Sequence, residues 1–386
     1  MIDVMVAGIG QTPVGEHWDI SLHTLATKAI LQAGRDAGGL KPDAMYIGNY
    51  LASVVSHQSN LGALLAEHAG LTGIEAYTIE AADASGAAAF RNGYMAVASG
   101  YVDTAVVVGV EKYTDLVGPK SDSTLAQATD YDYEAVPGLT PAAQAGMLMQ
   151  RYLYDYGIEK EVLAGFPILA HANAVHNPNA MYHKPITAEA YRKSPMVCSP
   201  LNTLDMAPYA DGAAAVVLTR RDLLCGEDCG PTIKISGSSV VIDTLALHDR
   251  HDMLAFRAAG ISLDRACRKA GILPGEVDFL ELSDNFSIYA VLALESGGFA
   301  NRGEGWKLAL DGDLNLNGRM PVCTMGGLKG RGHPIGASGV YQIVEAVQQL
   351  RGQAGRNQIP NPKRALVQSL GGPASTAITH VLERID

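Results

Sequence analysis

The reading of the chain turns on Glu80–Gly100, EAADASGAAAFRNGYMAVASG. A short run, Ala76 to Ile79, leads into small residues, and a helical pattern starts near Ser85. Together these predict a strand that turns abruptly into a helix, an elbow that aims backbone N–H groups and one side chain into a crevice. Asp83 is the side chain at that elbow. A carboxylate among alanines and glycine is an unusual structural choice, because Asp is almost never buried without a partner. Asp83 is therefore the leading functional candidate. Its plainer role would be to accept backbone N–H bonds at the helix start, where negative charge is favoured.

Outward from the elbow the chain resembles itself. VMVAGIG, a helix around LATKAILQAGRDAGGLKP and the strand AMYIGNYL open the first half. TIKISGSSVVI, the helix ISLDRACRKAGILPGEV and DFLELSDNF open the second. Both helices show apolar residues at helical spacing, end near Gly and are followed by Pro. ASGAAAFRNGYMAVASG then leads to TAVVVGVEK, and GASGVYQIVEAVQQLRG to RALVQSLGG, with Ala84-Ser85-Gly86 matching Ala337-Ser338-Gly339. Each half reads as a β-α-β-α-β unit, and the two are expected to pack around a pseudo-twofold axis. AVVVGV and AAAVVLT have the composition of buried strands. From about Leu116 to Pro195 polar and aromatic residues take over, with helical pieces in LAQATDYDYEA and AAQAGMLMQRYLYDYG. A segment of that length between core elements is usually functional. The expected division is 1–115 plus 196–230 for the first half, 116–195 for an inserted loop domain, and 231–386 for the second half.

The 386 residues are 47% hydrophobic and 18% charged, enough for two domains of ordinary size. A net charge of −11 argues against nucleic acid or an anionic membrane as main partner. No apolar stretch is long enough to span a bilayer. MIDVMVAGIGQTPVG carries Asp3 and no basic start, so it reads as a strand and not a signal peptide. Five scattered cysteines fit a reducing, cytoplasmic setting. Cys225 and Cys229 are close together but lack a second ligand pair, so no metal is expected. His171, His176, His183 and the HDRHD run at His248–Asp252 suit helix-end and surface roles better than metal ligation. Gly8-x-Gly10 lacks the rest of a dinucleotide fingerprint and reads as a strand-end turn.

The second half also holds VCTMGGLKGRGHPIGASG, Val322–Gly339. Its glycines permit close backbone approach. His333 falls just before a helix start, and symmetric packing of the halves would bring it beside the Asp83 elbow.

GGLKGRGHPIGASG resembles the GHP signature of the thiolase superfamily, most of all its archaeal acetyl-CoA acetyltransferase and sterol-carrier-protein branches. PLNTLDMAPYADGAAAVVLT, GIEAYTIEAADASGAAA and ELSDNFS resemble three further segments of that family, so the likeness covers nearly the whole chain. It implies an α/β fold of five layers, α-β-α-β-α, in which two similar halves carry an inserted loop domain. It also implies a homodimer or tetramer that acts on coenzyme A thioesters, with no metal or redox cofactor.

Carried over residue by residue, the resemblance keeps His333 of GHP and puts Asp83 where the family has its nucleophilic Cys. Ser283 matches the histidine of the HDAF segment, and Asn285 matches that segment's third residue. Gly371, Gly372 and Ser338 are the expected oxyanion and cofactor-side groups. Ser369 falls at the C-terminal Cys, and Cys323 matches no catalytic cysteine. Thiolysis runs through a thiolate made reactive at a helix N-terminus. A carboxylate there would give a mixed anhydride, which hydrolyses. Aldol or Claisen chemistry needs only a stabilised acyl-CoA enolate and an acid or base. His333, Asn285 and backbone N–H groups would supply the donors and Asp83 the base, with Tyr289 and Tyr341 nearby. Thiolase-like aldolases that lack the Cys work with a small zinc-ribbon, OB-fold partner. Three readings stand: such a lyase or ligase, an acetyltransferase with an altered site, and a silent subunit that scaffolds a partner.

Overall fold

The computed structural model describes residues 2–118, 120–224 and 231–385; Cys225 and Cys229 lie outside them. The first half runs β1 (Val4–Gln11), α1 (Leu22–Asp36), β2 (Ala44–Gly48), α2 (Ala52–Val55), α3 (Leu61–His68), β3 (Glu75–Ile79), α4 (Ser85–Ser99) and β4 (Thr104–Glu111). Four helices follow: α5 (Lys120–Leu125), α6 (Pro141–Tyr156), α7 (Gly165–Ala174) and α8 (Ala188–Lys193). A two-stranded ribbon, β5 (Met196–Cys198) with β6 (Leu201–Asn202), precedes β7 (Gly212–Arg220). The second half comprises β8 (Thr232–Ile242), α9 (Arg257–Ala270), β9 (Phe279–Glu281), α10 (Ser287–Ser296), α11 (Lys307–Leu310), α12 (Ser338–Leu350), β10 (Arg364–Gly371) and β11 (Thr376–Ile385).

Strand alternation builds the layers. Val106, Val108 and Val110 of β4 pack with Leu25, Ala29 and Ile30 of α1 in an outer core. Ala105 and Val107, on the opposite face, join a central core with Phe90 of α4 and Val340, Val344 and Val347 of α12. Beyond α12 lie Phe279, Ala365 and Val367 of the second half, whose other face buries Leu280 and Leu366 against Leu263 of α9 and Leu292 of α10. Helix, sheet, helix pair, sheet, helix: these are the five expected layers.

Four details add to the sequence reading or depart from it. The half-sheets are not separate, because Met5 pairs with Lys234 and Val6 with Ile233. The order is β3-β2-β4-β7-β1-β8-β11-β10-β9, with β7 and β11 antiparallel to their neighbours and β11 unforeseen. LAQATDYDYEA forms a short 3-10 turn and a single π turn rather than a helix. Gly8 and Gly10 are not a strand-end turn but lie inside β1. A Cβ on either would come within 2.3 Å of Ala33 O or Ala29 O, so the missing side chains let α1 lie directly on the strand.

A candidate active site at the elbow

The elbow forms as its sequence implies. β3 ends at Ile79, and Ala82 takes φ +51°, left-handed backbone that costs a non-glycine residue about 1 kcal/mol or more. Ser85 holds this bend: its hydroxyl donates to Ala82 O (2.6 Å) and accepts from the Ala81 N–H (2.9 Å). From the other half, Gly371 at the end of β10 presses on the bend so closely that a Cβ would fall 2.4 Å from Ala81 O.

Asp83, with 16% of its side chain exposed, emerges between the halves. Its Oδ1 lies 3.0 Å from His333 Nε2, and Oδ2 accepts the Gly372 N–H at 3.3 Å. His333 is buried and fixed at three points. Its N–H donates to Pro208 O (2.8 Å), its carbonyl accepts the Ala210 N–H (3.1 Å), and Nδ1 meets Ser338 Oγ at 2.8 Å. An ionised carboxylate only accepts, so with Asp83 charged Nε2 carries the ring proton and Nδ1 accepts the Ser338 hydroxyl. Ser338, His333 and Asp83 thus form one hydrogen-bonded line that ends at a cavity.

Buried polar groups anchor the Gly-rich segment that delivers His333. Glu111, at the end of β4, accepts N–H groups from Asn49 (2.9 Å), Tyr50 (3.1 Å), Leu51 (3.1 Å) and Gly336 (3.2 Å). It ties the first half to the GHPIG turn, and burial raises its pKa to about 7 against the pull of those donors. Beneath the turn, Asp284 accepts the Leu328 N–H at 2.6 Å and Lys329 donates to Asp205 O. Arg331, with no exposed surface, pairs with Glu345 at 2.6 Å and lies over the Tyr341 ring. Burial lowers Lys329 to about 8 and raises Asp284. The segment following α7 closes the turn from outside, Met181 and Tyr182 donating to Arg331 O and Gly330 O.

The cavity beside Asp83 holds about 20 Å³, room for roughly one water. Asn285, Gly372, Tyr50, Tyr209, Tyr289 and Gln144 are among its walls. Burial is the main reason the phenols of Tyr50, Tyr209 and Tyr289 have raised pKa values, and the charge of Asp83 adds to it. They remain O–H donors at neutral pH. Among the described residues, Asn285 Oδ1 and Gln144 Nε2 are buried without a hydrogen-bond partner.

Asp83, His333, Ser338, Asn285 and Gly372 are brought together, and Gly371 backs them. Ser283 is not in this group: its hydroxyl accepts the Leu370 N–H (3.0 Å), a structural bond to β10. Ser369 donates to Gln342 Oε1 (2.6 Å), and Tyr341 donates to Thr12 O (2.9 Å). Both are core fasteners. Cys323 is buried, and burial pushes its thiol well up, away from reactivity. His171 stacks on Tyr182, 5.3 Å between centroids, and burial lowers its pKa. Sequence reasoning missed Glu111, Tyr209 and Gln144. A lone acid ending a β-branched strand was the available signal for Glu111. Among the described residues no group of three or more His, Cys, Asp or Glu could hold a metal ion, and no helix is long and apolar enough to cross a membrane.

Comparison with known proteins agrees with this geometry. Residues 4–222 match the model of the thiolase N-terminal domain, and residues 239–384 match the thiolase C-terminal domain-like model. An acetyl-CoA acetyltransferase of Methanothermobacter thermautotrophicus is 42% identical over the full length of both chains. One from Methanocaldococcus jannaschii is 35% identical over 99% of each. Among solved structures, the Ltp2-ChsH2(DUF35) aldolase superposes with a TM-score of 0.85 at 25% identity, covering 99% of this chain and 98% of its own. The chain belongs to the thiolase family.

Proposed function

We propose that this protein acts on acyl-CoA thioesters and makes or breaks a carbon–carbon bond through an enolate, without an acyl-enzyme. The observation that carries the reading is the carboxylate of Asp83 lying 3.0 Å from His333 Nε2 at the cavity mouth. In the family's nucleophile segment, as the motif resemblance aligns it, this position belongs to the Cys. A carboxylate on an imidazole is a proton-transfer pair rather than an acyl acceptor.

In the cleavage direction Asp83 takes the proton from a β-hydroxyl. The Cα–Cβ bond breaks, its electrons become the enolate of the thioester, and the β-carbon leaves as an aldehyde or ketone. The proton then returns to Cα, so the pair ends as it began. Asn285 offers its amide to the enolate oxygen, and the Tyr209 and Tyr289 hydroxyls remain proton donors at neutral pH. His333 orients Asp83 and is itself oriented by Ser338.

The likeness to a DUF35-associated aldolase supports a small zinc-ribbon, OB-fold companion for this chain as well. A cytoplasmic homodimer or tetramer completes the proposal. The second reading, acetyl-CoA acetyltransferase activity, is favoured by the 42% identical archaeal relative.

One experiment separates the two. The purified chain, alone and with a zinc-ribbon protein encoded by the same genome, is given β-hydroxyacyl-CoA or, separately, acetoacetyl-CoA with CoA, and products are followed by mass spectrometry. Aldehyde plus acetyl-CoA is expected, with Asp83→Asn slower by about a hundredfold or more. Acetyl-CoA formed from acetoacetyl-CoA and CoA, together with a covalent acyl-enzyme, would overturn the proposal in favour of the second reading.

A further inference from the structure

Gln144 carries a buried amide nitrogen that finds no hydrogen-bond partner among the described residues. It lies in the first turns of α6, where Thr140 caps the helix by accepting the Ala143 N–H (3.2 Å) and Pro141 is the first residue. The next buried residues of that helix, Ala145, Leu148, Met149 and Tyr152, sit in an apolar core. Gln144 is only 1% exposed, yet it lines the cavity beside Asp83, and its Nε2 has no hydrogen-bond partner among the described residues. Asn285 Oδ1, 7% exposed in the same wall, is in the same condition. Buried polar groups in folded proteins are nearly always hydrogen-bonded, and a pair left open around one cavity points to a ligand that closes it.

We propose that Gln144, with Asn285, is a specificity-determining residue that hydrogen-bonds an oxygen on the acyl group bound beside Asp83. The inference deepens the acyl-CoA reading above and rests on it. The chemistry of the walls narrows the oxygen. The open atoms are a donor, Gln144 Nε2, and an acceptor, Asn285 Oδ1, so a neutral hydroxyl, which both accepts and donates, suits the pair. A carboxylate at the same place would face the charge of Asp83. The cavity, with room for about one water-sized group, takes a hydroxyl and leaves no space for a long alkyl tail. An unsubstituted acyl chain would enter and leave Gln144 Nε2 and Asn285 Oδ1 unsatisfied, which is how a polar site rejects an apolar analogue.

The test compares calorimetric binding of β-hydroxybutyryl-CoA and butyryl-CoA to the full chain carrying Asp83→Asn, which prevents turnover. The hydroxylated ester is expected to bind about tenfold more tightly. Gln144→Leu, and Gln144→Met with its unbranched side chain of similar length, are each expected to remove that preference while leaving butyryl-CoA affinity within about twofold. Thermal melting of both variants, expected to stay near that of the starting protein, excludes general unfolding as the cause. Equal binding of the two esters before Gln144 is changed, or a preference that survives in both variants, would overturn the role of Gln144 alone. Failure of both esters to bind would overturn the acyl-CoA reading and this inference together.

Discussion

Helices α4 and α12 occupy matching places in the two halves, and each is entered through the same Ala-Ser-Gly triplet, yet their serines act differently. Ser85 turns back on its own elbow and bonds Ala81 and Ala82. Ser338 reaches His333 at the end of the preceding Gly-rich turn. One serine shapes the bend that holds Asp83; the other holds in place the imidazole facing it. The helices are also fastened differently. His380 of β11 lies 3.3 Å from Ala87 O of α4, whereas α12 is held through Gln342, which accepts the Ser369 hydroxyl at 2.6 Å. A repeated scaffold thus provides equivalent positions, and the side chains at those positions create a site with two unlike sides.

The largest way to break this pairing is to separate the helices. A Cβ on Gly339 would lie 2.5 Å from Ala87 N, backbone that cannot swing away. Gly339→Val is expected to cost about 3 kcal/mol or more of stability, read from urea unfolding, and to abolish any activity. A wild-type-like midpoint would mean that the two helices are not held at this distance in solution.

The next effect comes from pH. Burial drives His380 down to about 3, so it is neutral in the folded protein and titrates near 6.5 when unfolded. Below that value the unfolded chain takes up a proton that the folded chain refuses. The stabilisation is therefore complete above about pH 6.5 and falls as the solution is acidified. Relative to His380→Gln, the parent should lose on the order of 2 kcal/mol between pH 7 and pH 5. Parallel stability curves for the two proteins would contradict the burial of a neutral histidine against α4.

The smallest effects separate the serines themselves. Ser338→Ala should slow turnover about tenfold and move the acid limb of the pH–rate profile, because the imidazole loses its orienting partner. Ser85→Ala should instead lower stability by about 1 kcal/mol and leave that profile in place. The same response from both variants would collapse the distinction between shaping the bend and tuning the base.

Much of this arrangement was legible in the sequence, for reasons particular residues make clear. The β-branched runs of β4 and β7 have the composition of buried strands, and the Ala-Ser-Gly repeat, with symmetric packing of the halves, brings His333 beside Asp83. Ser283 and Tyr341 were read into the site because their neighbours in sequence belong there. In the fold Ser283 turns to the backbone of β10 and Tyr341 to Thr12. Such choices are fixed by long-range hydrogen bonds that local pattern does not encode. Gln144 was invisible for a related reason. It sits on an amphipathic helix like many others, and only the closing of that helix over the elbow reveals that its Nε2 has no partner among the described residues.

The pairing of β1 has a consequence for how the molecule assembles. Val4 is matched with Arg220, and the strand's other edge meets Ile233 and Lys234. As a chain emerges N-terminus first, β1 stays without either neighbour until β7 and β8 are out. Contacts so distant in sequence are slow to form, and an unpaired strand edge meanwhile invites pairing with other chains. Refolding of this protein should accordingly be limited by the capture of its first strand, with yields that fall as protein concentration rises.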